Sequence, residues 1–279
     1  MVKKSKDKEK DPGQEMSFLE HLEELRWHII RAFLAVIVFS VAAFINKDLI
    51  FDKIILNPKT PGFWTNRMFA RLADWMQTDA IRINNQEFEL ISINMSGQFM
   101  THIWTSIIAG LIVASPYVIF EIWRFIRPAL YDKERRYSAG AVFYMSFLFI
   151  LGVLFGYYLI VPLSVHFLGS YSISPNVTNQ INILSYINTV SSITLASGII
   201  FELPVVVYFL SKVGILTPGM MIKYRRHSYV ILLILSAIIT PPDVFSQIMV
   251  CIPLAFLYEI GIVISARVNR KAEKELDQL

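Results

Sequence analysis

Residues 227–265 read HSYVILLILSAIITPPDVFSQIMVCIPLAFLYEIGIVIS, two apolar runs held apart by Thr240-Pro241-Pro242-Asp243. Proline has no amide hydrogen to donate and its ring clashes with the preceding turn, so two in succession stop a helix and reverse the chain. The runs at 227–241 and 244–265 therefore read as an antiparallel helical pair. Before the prolines the first run has about 13–15 residues, near 20 Å at about 1.5 Å each, against a hydrocarbon core of about 30 Å. A span that short implies a locally thinned bilayer.

Four other segments, about 27–46, 97–120, 137–162 and 183–211, have the length and apolarity to cross a membrane. The composition agrees: 54% of the 279 residues are hydrophobic and 17% charged, with mean hydropathy +0.50, a balance unsuited to a water-facing domain. The fold class expected is an all-α membrane protein with six transmembrane helices, the fifth and sixth short. Residues 17–265 form one membrane domain, between a flexible basic tail (1–16, with Lys3, Lys4, Lys6, Lys8 and Lys10) and a second tail (266–279). No apolar core or cleavage site follows the first tail, so it does not read as a secretory signal.

The net charge of +4 does not point to nucleic acid, because the basic residues sit in short clusters between long uncharged runs. Of the 26 lysines and arginines, 20 fall in 1–31, 121–136, 212–226 and 267–274, and the other 6 in one long loop, 47–96. Positive clusters mark the cytoplasmic side and long loops count little, so both termini are expected inside, with outer loops at 47–96, 163–182 and 241–244. No internal repeat suggests the inverted halves of many transporters. One cysteine, Cys251, and five histidines without metal-ligand spacing give no expectation of a disulfide, metal or cofactor. No nucleophile-base motif, phosphate loop or HExxH is present, so the chain does not read as an enzyme.

The polar residues are few enough to weigh singly. SFLEHLEELRWHIIR (17–31) is an amphipathic helix entering the first span, and Glu20 and Glu24 stack four residues apart on its polar side, with Glu23 adjacent. Either Arg26 and His28 offset these acids within the helix, or the patch awaits a cationic ligand. In EIWRFIRPALYDKERR (121–136), divided by Pro128, the aromatics and arginines suit an interfacial anchor, and Glu134 either pairs locally or serves a partner. Glu202 is the sole Asp, Glu, Lys or Arg between Tyr137 and Ser211. An intramembrane acid marks a pathway or a contact unless it is protonated and bonded to a carbonyl freed by Pro204. Asp243 and Gln247 follow the double proline, where helix capping explains Asp243. Glu259 reads as a partner of Arg267 or of water.

HLEELR (21–26), WRFIRPALYDKERR (123–136), FELPV (201–205), TPPDVFSQ (240–247) and IPLAFLYEIG (252–261) together resemble the TatC family, in the family's order. The resemblance implies an inner-membrane receptor for twin-arginine signal peptides on folded cargo, assembling with single-span TatA/TatB-type partners into a complex driven by the proton motive force. By motif match the signal-binding acids fall on Glu24 and Glu134, with Phe125 in the same surface and Arg26 in the same motif as Glu24. A carboxylate takes arginine through paired, charge-assisted hydrogen bonds that lysine reproduces poorly. The family's intramembrane glutamate falls on Glu202, and its polar outer positions, near partner-helix contacts, on Thr240, Asp243 and Gln247. Two features depart from the pattern: Trp27 stands where a basic residue is frequent, and loop 47–96 is long, with room for an extra helix in NPKTPGFWTNRMFARLADWM (57–76). A proton-coupled small-solute transporter using Glu202 is the alternative from another class, and a scaffold without a ligand pocket is a third.

Overall fold

The computed structural model describes residues 18–79, 81–84, 89–126, 138–174, 176, 179–240 and 244–276, with side chains left undescribed at 18–21, 138–139, 244–246 and 272–276. The chain is an all-α membrane protein. Among the described residues its α-helices are α1 (Phe18–Ile45), α2 (Trp64–Met76), α3 (Gly97–Ile126), α4 (Ser138–Phe155), α5 (Val161–Ser170), α6 (Ile183–Ile200), α7 (Leu203–Lys212), α8 (Pro218–Lys223), α9 (Arg225–Ile239) and α10 (Val244–Leu276). A π-helical turn, Gly156–Ile160, joins α4 to α5. The two-residue strands β1 (Leu90–Ile91) and β2 (Ile181–Asn182) pair in parallel.

Among the described residues five stretches are long and apolar enough to span a membrane: Leu22–Ile45, Gly97–Ile126, Gly140–Ser170, Ile183–Lys212 and Gln247–Lys271. The sixth apolar run forms α9, which at 15 residues is shorter than those five. Following the chain back and forth, the start of α1, the end of α3 and α8 lie at one face, called here the terminal face. The end of α1, the segment 46–79, the end of α5, the start of α6 and the end of α9 at Thr240 lie at the other, the loop face. Pro241 and Pro242, with Asp243, lie outside the described residues.

Several elements differ from the sequence expectation: α3 runs past 120 to Ile126, and the third span continues through α5 to Ser170, so that 163–170 is helix and not outer loop. The last helix is not short: α10 is one helix of 33 residues that runs past position 265 to Leu276. Nothing after Pro253 breaks it, and RVNRKAEKEL is rich in good helix formers. The span at 183–211 is interrupted at Phe201-Glu202, where Pro204 cannot donate. The chain restarts as α7 with the Val205 and Val206 amides donating to the Glu202 carbonyl at 2.9 and 3.1 Å.

Helix α1 packs on α3 and otherwise faces outward, with Phe33 and Val38 exposed. Gly110 of α3 permits the approach: a Cβ there would lie 2.5 Å from the Ser40 backbone nitrogen. On the other side Gly152 lets α4 meet α6, since a Cβ would stand 2.5 Å from the Ser197 carbonyl oxygen. The fully buried core, Ile160, Val161, Ile187, Val190, Ile193 and Leu254, lies among the α4–α5 junction, α6 and α10.

The long segment 46–84 is a built element. Its π-helical turn Leu49–Ile55 is pinned by the Tyr157 hydroxyl, which donates to the Ile54 carbonyl at 2.7 Å, and by that of Tyr186, which donates to Ile55 at 2.9 Å. The Asn66 amide donates to the carbonyls of Pro58 and Thr60 at 3.0 and 2.7 Å, and that of Asn84 to Pro162 at 3.0 Å. The room that the sequence leaves for an extra helix within 57–76 is occupied by α2. Its C-terminal residue cap, Gln77, takes the left-handed conformation at φ 52°.

Candidate functional site

At the terminal face α1 and α3 bring together residues 93 positions apart. His28 Nδ1 donates to Glu121 Oε2 at 2.5 Å, and both side chains are out of solvent, His28 5% and Glu121 2% exposed. The Tyr117 hydroxyl, one turn earlier on α3, also hydrogen-bonds Glu121, and Arg31 acts on it electrostatically. A carboxyl and an imidazole removed from water persist only when bonded in this way. Helical periodicity carries the pair outward: Glu24 is four residues before His28, and Phe125 four after Glu121. The Phe125 ring meets the His28 ring edge-on, centroids 6.3 Å apart at 60°.

Glu24 is half-buried and lines a pocket of about 340 Å³ with Trp27, His28, Arg31 and Arg124. An apolar pocket of about 370 Å³ adjoins it through His28 and holds Phe125, Leu25, Phe33 and Ile122. Of the two readings of the acidic helix, the structure separates its members. Arg26 contacts Glu23 at 3.5 Å, both well exposed, and such a pair contributes little. His28 is committed to Glu121. Glu24 has no ion pair among the described residues. Phe125 and Glu24 are thus brought to one place, Arg26 lies beside it without lining the pocket, and Glu134 falls outside the described residues.

Reading the sequence missed Glu121. The apolar run was closed at position 120, which placed this acid in a loop, whereas α3 continues to Ile126 and carries it on a buried face. The available signal was the fourfold spacing of Glu24 to His28 and Glu121 to Phe125 on two adjacent helices.

Inside the membrane, Glu202 sits at the α6–α7 break with both carboxyl oxygens buried and without a hydrogen-bond partner among the described residues. The bond to a freed carbonyl that the sequence allowed is absent there. Thr240 and Gln247 are occupied: the Thr240 hydroxyl donates to the Ser236 carbonyl at 2.9 Å, and the Gln247 amide to Leu233 at 3.1 Å. Glu259 binds Arg225, not Arg267. The guanidinium engages both of its oxygens, Nε to Oε1 at 2.6 Å and a terminal nitrogen to Oε2 at 2.5 Å, tying α9 to α10. No group of three or more His, Cys, Asp or Glu suited to a metal occurs among the described residues.

Comparison with known proteins gives one consistent result. Residues 20–253 match the family described as Sec-independent protein translocase protein (TatC). A Sec-independent protein translocase protein TatC of Blattabacterium sp. subsp. Periplaneta americana is 40% identical over 264 residues, 94% of this chain and 99% of the relative. The TatCy protein of Bacillus subtilis is 32% identical over 260 residues, 93% and 92% of the two chains. A solved structure, "Crystal Structure of Twin Arginine Translocase Receptor- TatC", superposes with TM-score 0.65 at 31% identity over 89% of this chain and 99% of that one.

Proposed function

Since this chain belongs to the TatC family, multi-pass subunits of the Sec-independent protein translocase, we propose that it is the translocase's signal-peptide receptor. In this reading the terminal face is cytoplasmic, the membrane is the cell inner membrane, and the ligand is the twin-arginine signal peptide of a folded cargo protein. The observation that carries it is Glu24, a half-buried acid with no ion pair among the described residues, opening beside Phe125 at an apolar pocket. A guanidinium can take both carboxylate oxygens while the apolar stretch of the signal lies along the neighbouring pocket. Glu134, in the same motif region as Phe125, supplies the second acid for the second arginine. Arg31 and Arg124 border the pocket, and Glu24 forms an ion pair with neither among the described residues.

Glu202 carries the second half of the proposal. A buried carboxyl at a helix break, without a hydrogen bond among the described residues, suits contact with a polar group of a single-span TatA/TatB-type subunit, recruited for export driven by the proton motive force. Thr240 and Gln247, already bonded within the chain, and Asp243 would then border that contact. The same carboxyl also supports the alternative of a proton-coupled solute transporter, which predicts solute uptake in vesicles that Glu202→Gln removes while cargo export persists.

The test is binding of a synthetic twin-arginine peptide to the purified chain, with a twin-lysine peptide and the Glu24→Gln and Glu134→Gln variants alongside. Arginine preference that both variants lose is the expected result. Equal affinity for the two peptides, or unchanged preference in both variants, would refute the receptor assignment.

A further inference from the structure

At the loop face the bundle opens beneath α2 into a cavity of about 490 Å³. Its apolar wall comes from Ile108, Ile112, Val153 and Leu154, and its lining also includes Lys53 and Arg67. On α3 the apolar wall lies deep, Ile108 and Ile112 being about 16 and 22 Å along the axis from Gly97 at about 1.5 Å per residue. The two cations belong to the segment above, both are exposed, and neither has an ion-pair partner among the described residues. Between the two levels lie Thr105 and Ser191, buried, with hydroxyls that have no hydrogen-bond partner among the described residues.

Helix α2 adds an independent sign. Trp64, Arg67, Arg71 and Trp75 follow at intervals of three, four and four, so they form one stripe, and all four are exposed. Leu72 and Met76 are exposed beside them, while Thr65, Asn66 and Ala73 face inward. Tryptophan and arginine on the free side of an amphipathic helix are the composition of an element lying at the headgroup level of a bilayer. The asparagine bonds that anchor 57–84 hold this helix over the cavity instead of leaving it as a loose loop. None of the motifs that carry the family resemblance falls in this segment.

We propose that the cavity and the α2 stripe bind an anionic glycerophospholipid of the leaflet at the loop face. Its phosphate is held by Lys53 and Arg67, its ester oxygens face the hydroxyls of Thr105 and Ser191, and one acyl chain lies along Ile108, Ile112 and Leu154. The order of chemistry in such a lipid, charge then ester then hydrocarbon, is the order of the protein groups from the loop face inward. A zwitterionic lipid fills the apolar part equally well but leaves the two cations without net compensation, so the site selects for charge. This inference is independent of the receptor reading, because it requires no peptide and lies at the opposite face.

The experiment uses the full chain, stripped of lipid in dodecyl maltoside. It is titrated with phosphatidylglycerol, with phosphatidylcholine of the same chains, or with inorganic phosphate, and retained lipid is read by native mass spectrometry. Phosphatidylglycerol is expected to be retained over phosphatidylcholine. Lys53→Gln and Arg67→Gln each weaken it about fivefold, and together about 25-fold. Ala109→Trp, which fills the wall without touching a cation, also lowers retention. The proposal is overturned if the double variant retains phosphatidylglycerol as the wild type does, if the two lipids bind alike, or if inorganic phosphate displaces the lipid. It is equally overturned if an apolar single-span peptide expels the lipid from the wild type at stoichiometric ratio, which would assign the cavity to a partner helix.

Discussion

Replacing His28 by leucine removes the hydrogen-bonding partner of Glu121 and leaves a carboxylate at 2% exposure facing apolar surface. Breaking one side of a buried pair typically costs about 3–5 kcal/mol, because the surviving charge keeps its desolvation penalty. Two neighbours soften that here. The Tyr117 hydroxyl still bonds Glu121 and Arg31 still acts on it, so the lower end, about 3 kcal/mol, is the expected cost. At about 2–4 °C per kcal/mol for a chain of this size class, the midpoint of thermal unfolding should fall by roughly 6–12 °C.

The control is the double replacement, His28→Leu with Glu121→Leu. An apolar pair of similar volume often matches or exceeds the stability of the ion pair it replaces, so the double variant should unfold within about 2 °C of the wild type. Both are measured in one detergent at one scan rate, since membrane proteins rarely unfold reversibly. A single variant within 2 °C of the wild type would refute the premise that the pair is sealed from water, to be read with the roughly 6–12 °C expected. A double variant as damaged as the single would show that volume, not charge, holds this end of α1 to α3. If the proposed receptor role holds, the single variant should also lose twin-arginine peptide binding, because His28 lines both the Glu24 and the Phe125 pockets.

Other positions give sharper or simpler outcomes. Gly110→Leu should push α1 off α3, since even its Cβ meets Ser40 backbone at 2.5 Å, and cost about 1–3 kcal/mol or more in midpoint stability. Gly140→Ala, where nothing lies within 4 Å of the added carbon, should be neutral or gain up to about 1 kcal/mol in the same assay. Asn84→Leu leaves the Pro162 carbonyl without its donor, a cost of about 1–3 kcal/mol, and limited proteolysis should then cut within 57–84 before it touches the bundle. Glu202→Gln removes a carboxyl that no described group bonds, so thermal stability should hold or rise while cargo export falls; an export rate equal to wild type would remove Glu202 from the proposed partner contact.

How much of this was readable in advance depended on whether the signal was periodic or positional. Long uncharged runs announce membrane helices because hydrocarbon excludes charge over a fixed thickness, so α1, α3, α4–α5, α6–α7 and α10 were visible. Their ends were not, since nothing in hydropathy says where a helix stops once it leaves the bilayer. That blind spot placed Glu121 in a loop and ended α10 at 265. Glu24 and Phe125 came through residue motifs and Glu202 through its isolation, but beyond the fourfold spacings around His28 and Glu121 the long-range pairings left no local trace. His28 with Glu121, Arg225 with Glu259, and Asn84 with Pro162 each join residues between 34 and 93 positions apart.

The short helix α9 shows how such pairings decide what a polar residue is for. Fifteen residues rise about 22 Å, so its loop-face end sits about 8 Å short of a 30 Å hydrocarbon layer unless the bilayer thins. A helix end at that depth has carbonyls that water cannot reach freely, and each left bare costs several kcal/mol. The Thr240 hydroxyl on the Ser236 carbonyl and the Gln247 amide on that of Leu233 add further donors to carbonyls in the last two turns of α9, which already accept the Thr240 amide and the Ser236 hydroxyl. At the terminal end of the same helix Arg225 is fixed by Glu259. The polar groups of the hairpin are therefore spent on keeping a short span folded. Of Thr240, Gln247 and Glu202, only Glu202 has no side-chain hydrogen bond among the described residues, which is why the proposed partner contact is placed there.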